Sequence, residues 1–250
     1  MRRLAILAAA GALAACGGSS HNQPQTRTEV IRSIGTEGGF DAQAIYKAEA
    51  PGVVTVLSLF ASVLAAYAIT RIRYRGANYV GGMIFLAYLV PPSILFIPLS
   101  TVIYQYGLFD SVFALILVYP TILIPFSTWL LMGYFKTIPY ELEECALIDG
   151  ATRWQILWKI VLPLAVPGLI SAGIFAFTLS WNEFIYALTF VSSSEVKTVP
   201  VGVITELVEG DVYHWGPLMA GALLGSLPVA FIYSFFVEYY VSGMTGAVKE

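Results

Sequence analysis

Of the 250 residues, 58% are hydrophobic and 12% charged, about half the charged share of a typical soluble domain, ~25%. So little charge cannot coat a soluble enzyme, and the apolar content excludes a disordered chain. With 13 Lys and Arg against 16 Asp and Glu there is no basic excess for nucleic acid, and two cysteines cannot build a disulfide scaffold. What remains is an integral membrane protein.

Residues 1–16 form a leader. Arg2 and Arg3 make a basic start, Leu4–Ala12 an apolar core too short to span a bilayer, and Leu13-Ala14-Ala15-Cys16 closes it. The closing tetrapeptide resembles the bacterial lipobox, which implies lipidation at Cys16. The alternative is an alanine-rich anchor with a coincidental cysteine. Residues 17–52 are polar, lack helical periodicity and read as an exterior linker that is poorly ordered.

Five charge-free runs follow, each near the ~20 residues that a spanning helix needs. They are Val53–Thr70, Tyr79–Gln105, Ser111–Phe135, Ile160–Asn182 (extendable to about Val191) and Trp215–Val237. None alternates with period two, so the reading is an all-α, polytopic membrane protein with five transmembrane helices. Arg71, Arg73 and Arg75 crowd one short connection, and Lys136, Arg153 and Lys159 another, whereas Ser192–His214 holds Lys197 as its one basic residue. Basic loops stay inside. Arg71–Gly76, Lys136–Lys159 and the C-terminus are therefore expected in the cytoplasm, with Ser192–His214 outside.

The loop at 136–160 carries the most information. Glu141, Glu143 and Glu144 suit the first turn of a helix over Tyr140–Ile148, and Gly150 can take the positive φ that ends it. Trp154, Leu157, Trp158 and Val161 then recur at helical spacing as one apolar face. Such an exposed hairpin suits a protein partner. Its alternative is a helix lying on the bilayer surface, which four acids against three bases disfavours.

Glu144-Cys145-Ala146, three residues, Gly150, nine residues, then Ile160-Val161-Leu162-Pro163 resembles the EAA motif of permease subunits in bacterial ABC importers, with Cys145 where the family has alanine. Leu64–Ala68, Ser180-Trp181-Asn182-Glu183-Phe184 and Gly243–Lys249 are similar to the maltose-type carbohydrate permeases, and to the MalG-like member of their permease pair. The resemblance covers 53–250 and implies the type I importer fold. It also implies that Glu144, Cys145, Ala146, Asp149, Gly150, Ile160, Leu162 and Pro163 couple to an ATPase. The implied partners are a dimer of ATP-binding subunits, a second permease subunit, an extracytoplasmic sugar-binding protein and the lipid bilayer of a bacterial inner membrane. The implied activity is import of a di- or oligosaccharide. The alternatives are an importer of a non-sugar solute, or a secondary transporter. Such permeases begin with an ordinary first membrane helix, where this chain has its leader.

The chain reads as a transport subunit rather than an enzyme, and no Gly-x-x-x-x-Gly-Lys-Ser/Thr is present to bind ATP. No cofactor is implied. His21 and His214 lie far apart with no ligand cluster at metal spacing, and Cys16 and Cys145 are expected on opposite faces of the membrane. Trp181, Asn182 and Glu183 are candidates for lining the translocation pathway, since Asn and Glu can bond sugar hydroxyls and Trp can stack on a pyranose. A bond between helices with an interfacial tryptophan is the alternative. The prolines at 91, 92, 98, 120, 125, 163, 167 and 228 suit either a moving pathway or ordinary membrane helices. Gly221-x-x-x-Gly225 permits close helix packing within the subunit.

Overall fold

A computed structural model describes residues 49–72, 74–193, 197–209, 212–213 and 215–246. The leader, Cys16, the 17–48 part of the linker, His21 and His214 lie outside the described residues. The chain forms α1 (Glu49–Arg71), α2 (Ala77–Tyr88), α3 (Pro92–Gln105), α4 (Val112–Val118) and α5 (Pro120–Lys136). Next come α6 (Glu141–Ile148), α7 (Arg153–Ile156), a π-helical stretch (Leu157–Val161) and α8 (Leu162–Leu164). The remainder is α9 (Val166–Trp181), α10 (Ile185–Phe190), α11 (Val199–Leu207) and α12 (Trp215–Gly246). Between α11 and α12, β1 (Val208–Glu209) pairs antiparallel with β2 (Val212–Tyr213), Val208 opposite Tyr213.

Among the described residues, three stretches are long and apolar enough to cross a membrane unbroken: 51–71, 112–136 and 215–237. Two bent pairs have the same character: α2 with α3, at 95°, and Arg153–Leu164 with α9, at 79°. Counting each pair as one span gives up to five among the described residues, by length and composition. Both sharp bends fall at prolines that begin a helix, Pro92 in α3 and Pro167 in α9. Pro98 and Pro228 sit inside continuous helices, so proline position, not proline count, sets the geometry.

At the bundle's centre α1 packs along α5, and α9 packs on both. Ser58, Ser62 and Ala66 recur every fourth residue on α1 and are fully buried. Their small side chains let the two backbones approach, and Ser62 Oγ donates to the Ile124 carbonyl at 3.2 Å. Two apolar clusters divide the bundle end to end. One joins Val63, Ala66, Leu131, Phe135, Leu157 and Val161 near the hairpin. The other joins Val54, Leu115, Tyr119, Ala176, Tyr186 and Phe190 at the opposite end. Gly168 at the start of α9 meets the ring of Tyr134 so closely that a Cβ there would lie 2.7 Å from Cδ1. Of the Gly221/Gly225 pair, Gly225 packs closely within the subunit: a Cβ there would lie 3.0 Å from Val199 Cγ1, and the Trp181 indole N–H donates to its carbonyl at 2.8 Å.

At the end away from the hairpin, Asp110 holds two loops together. Its backbone N–H donates to the Phe190 carbonyl at 2.9 Å. Its carboxylate accepts the backbone N–H groups of Ser192 and Ser193, each at 2.8 Å, from a left-handed backbone with φ 59°, which aspartate tolerates better than most residues. The Ser193 N–H, then that of Ser192, hold this carboxyl below the usual aspartate range.

Two outcomes are expected. Gly168→Val should destabilise the protein by about 1–3 kcal/mol through overpacking, read as thermal unfolding in detergent. Because folding lowers the Asp110 pKa, its stabilisation is present above the ordinary aspartate value near ~3.9 and disappears as pH falls through the lowered one. Asp110→Asn should therefore flatten the acid limb of a plot of unfolding temperature against pH. An unchanged limb would contradict this role.

Candidate functional site: the helical hairpin and its buried charge pair

Between α5 and α9 the chain folds a hairpin whose turn is written in two backbone codes set end to end. The first helix, α6, stops in a Schellman arrangement: the Ala151 N–H donates to the Ala146 carbonyl at 2.9 Å and the Gly150 N–H to that of Leu147 at 3.1 Å. This geometry needs the left-handed backbone that Gly150 adopts, φ 83°, as its place in the sequence predicts. Two residues later a capping box starts α7. Gln155 N donates to Thr152 Oγ1 at 3.3 Å, and Thr152 N donates to Gln155 Oε1 at 2.8 Å. Sequence reasoning passed over this second code, although Thr152-x-x-Gln155 is legible in it.

Most of α6 faces outward. Glu141, Leu142, Glu144, Cys145, Leu147 and Ile148 are exposed, as are Asp149 and Gly150, and Ala146 is half-buried. Ile148 reaches 85% exposure, unusual for an isoleucine on a charged loop. On the other arm Ile160 and Leu162 pack against the apolar cluster at the hairpin end, and Pro163 is exposed. The expected single apolar face over Trp154, Leu157, Trp158 and Val161 splits in two. Leu157 and Val161 are buried, whereas Trp154 and Trp158 are 56% and 47% exposed and stack edge to face at 5.9 Å. The wider turn of the π-helical stretch shifts the register that a 3.6-residue period assumes.

The one buried residue of α6 is Glu143, which carries no solvent exposure. Its Oε1 lies 3.2 Å from Arg71 Nε, and its Oε2 lies 3.7 Å from Nη1 of the half-exposed Arg153. The Tyr67 hydroxyl stands 3.5 Å from the same carboxylate. Arg71 ends α1 and is itself 2% exposed. Its Nη2 donates to the carbonyls of Phe135 and, at 2.7 Å, Ile138, so it closes the C-terminus of α5, where unpaired carbonyls gather. The Tyr140 ring lies 4.6 Å from the guanidinium, and the Tyr140 hydroxyl donates to the Arg71 carbonyl at 3.0 Å. The Nε–Oε1 approach is a charge contact without hydrogen-bond alignment. The guanidinium's bonds go to backbone. One cation thus ties the end of α1, the end of α5 and the start of the hairpin.

Sequence reading placed Arg71 in a basic loop and chose Glu144 over Glu143. The structure buries Arg71 with Glu143 and exposes Glu144. The clue was positional: Arg71 follows an unbroken apolar run, and Glu143 lies three residues after Tyr140, on the opposite face from Cys145.

The other candidate residues lie at a helix break. The fourth span does not continue to Val191. It stops at Trp181, and Glu183 begins the short α10 by accepting the N–H groups of Tyr186, at 2.9 Å, and Ala187, at 3.0 Å. The break satisfies the acid with backbone donors, as an acid among apolar helices requires. Trp181 is buried, stacked on Phe177 at 5.5 Å and bonded to α12. Asn182 is exposed and borders two cavities of about 400 and 370 Å³, the first also bounded by Tyr119 and Glu183, the second by Trp181 and Gly225.

An apolar helical bundle with bent helices and a charged hairpin at one end has the make-up of a membrane protein. Residues 53–246 match the family of binding-protein-dependent transport system inner membrane components, and the chain belongs to that family. It is 37% identical over 198 residues to the inner membrane ABC transporter permease protein YcjP of Escherichia coli K12, covering 79% of this chain and 70% of that one. It is 38% identical to the sulfoquinovosyl glycerol transport system permease protein SmoH of Agrobacterium fabrum, covering 78% and 68%. The trehalose/maltose transport system permease protein MalG of Thermococcus litoralis is 35% identical, with 79% and 71% covered. A crystal structure of a bacterial ABC transporter that imports the acidic polysaccharide alginate shares the fold, with a TM-score of 0.66 over 92% of this chain and 86% of that one, at 17% identity. As a permease component it is a transport subunit, not an enzyme.

The buried acid and its exposed neighbour should respond differently to truncation. Glu143→Ala strands Arg71 and should cost about 3–5 kcal/mol. Glu144→Ala should stay within about 0.5 kcal/mol of the parent. Parallel thermal unfolding of the two variants checks this, and equal losses would contradict it.

Proposed function

We propose that this chain is the permease subunit of a bacterial importer that takes up a di- or oligosaccharide. It spans the inner membrane several times, with the hairpin and the C-terminus in the cytoplasm. The observation that carries the reading is the α6 surface: Leu147 and Ile148 exposed beside Glu144, Cys145 and Asp149, at the positions of the EAA motif. Exposed apolar residues ringed by acids suit a protein groove better than lipid headgroups. In this reading a dimer of ATP-binding subunits seats that surface, and a second permease subunit completes the pathway. An extracytoplasmic binding protein delivers the sugar. The names of the relatives that carry trehalose, maltose and sulfoquinovosyl glycerol support the substrate class.

Closure of the ATPase pair on ATP shifts the hairpin as a unit, and the two permease subunits rock between outward and inward openings. Asn182 borders both cavities at the α9 break, and since its Nδ2 donates to the Thr178 carbonyl at 2.9 Å, its amide oxygen is the group this reading offers to sugar hydroxyls. Glu183 keeps the break open by holding α10. Trp181 sets the tilt of α12 through Gly225.

Gly150 is the sharpest test. Nothing lies within 4 Å of a Cβ built there, so a bulky residue meets open space and strains only the left-handed backbone, by about 1–2 kcal/mol. Gly150→Leu in a complex reconstituted with its ATPase, second permease and binding protein should cut ATP-driven uptake of trehalose or maltose about ten-fold while hydrolysis persists. Unchanged uptake with unchanged sugar-stimulated hydrolysis would sink the assignment.

A further inference from the structure

We infer that Glu143 and Arg71 form the joint through which movement of the hairpin reaches the membrane helices. Both are positioning residues, and the inference rests on the transport reading above. Every other residue of α6 is exposed or half-buried, so Glu143 is its one fully buried attachment. A load applied to the outer face of α6 can pass to the bundle by that carboxylate, by the apolar contact of half-buried Ala146 with the hairpin-end cluster, or by the two chain ends. The Gly150 end leads through the Schellman turn into α7, whose Ile156 is buried. The Tyr140 end is itself drawn into the same cluster, with its ring on Arg71 and its hydroxyl on the Arg71 carbonyl.

Apolar contacts slide at little cost, because burial is non-directional. A buried ion pair at 3.2 Å is poorly screened, and drawing its members apart strands both charges, so it resists displacement far more than apolar contacts do. Arg71 passes the constraint on in two directions. Along its own backbone it ends α1, and through Nη2 it holds the last carbonyls of α5. The hairpin, α1 and α5 therefore move as one body. The half-exposed Arg153, reaching Glu143 from α7, brings the hairpin's second arm into the same joint.

Two variants test this. Glu143→Gln removes the charge and keeps the size. The double variant Arg71→Met/Glu143→Leu replaces the pair with apolar residues, an exchange that buried ion pairs generally survive in folded form. In a Cys16→Ser/Cys145→Ser background, spin labels at exposed Glu141 and Tyr74 report the distance between α6 and the end of α1 in the assembled complex. The unsubstituted joint should give one narrow distance, the same without nucleotide and with bound ATP. Both variants should broaden it. In the same complexes, uptake of trehalose or maltose per ATP hydrolysed should fall about ten-fold at unchanged ATPase co-purification. A purely structural role would lower uptake and hydrolysis together with the amount of complex, leaving uptake per ATP constant. That result, or variants as narrow in distance as the parent, overturns the inference. A parent complex that hydrolyses ATP but takes up neither sugar counts against the transport reading instead, and the distance distributions then decide the joint alone.

Discussion

A carboxylate stripped of water at the foot of a membrane bundle is tolerated only where positive charge and hydrogen-bond donors surround it. Glu143 meets that condition through Arg71 and Tyr67, one turn apart on α1, and through Arg153 of α7. The end of α1, the end of α5 and both arms of the hairpin have to converge there. The apolar cluster of Val63, Ala66, Leu131, Phe135, Leu157 and Val161 fills the space just inside that convergence and keeps solvent away from it. Without the charge pair the same helices could still pack, but α6 would be held beneath them by apolar contacts and its chain ends alone.

The hairpin itself is rigid for local reasons. A Schellman stop and a capping box leave almost no free backbone between its two helices, so the turn has little freedom to absorb motion. Its outer face stays available to a partner while its inner face is committed. At the other end of the bundle, Glu183 and Asp110 use carboxylates in a second way, each accepting two backbone N–H groups to hold a short helix or a loop. Acids are scarce in this chain, and these three each organise backbone around them.

The apolar helical stretches were legible because charges interrupt apolar runs so rarely that the gaps measure themselves. Gly150 was legible too, since a glycine after an acidic, helix-forming stretch has few other roles. The bend between α2 and α3 was implicit in Pro91-Pro92, and the break at Asn182 was not. An uncharged run up to Asn182 with more apolar residues beyond Glu183 reads as one helix, and only the cap that Glu183 makes on α10 reveals two. Arg71 and Glu143 escaped for a related reason. Charges in short loops are ordinarily solvated and count toward orientation, and pairing across 72 positions in the chain leaves no local signature. The split of the tryptophans from Leu157 and Val161 was hidden because one π-helical stretch changes the period midway.

Cys145 offers the most direct test of the central claim, that the outer face of α6 is a cytoplasmic seat for an ATPase. It is exposed and free, and in a Cys16→Ser background it is the protein's single thiol. Inside-out membrane vesicles stripped of peripheral proteins should label at Cys145 with a membrane-impermeant maleimide, and adding back the ATP-binding subunit should protect it. Labelling from the opposite side of the membrane, or equal labelling with and without the ATP-binding subunit, would contradict the account.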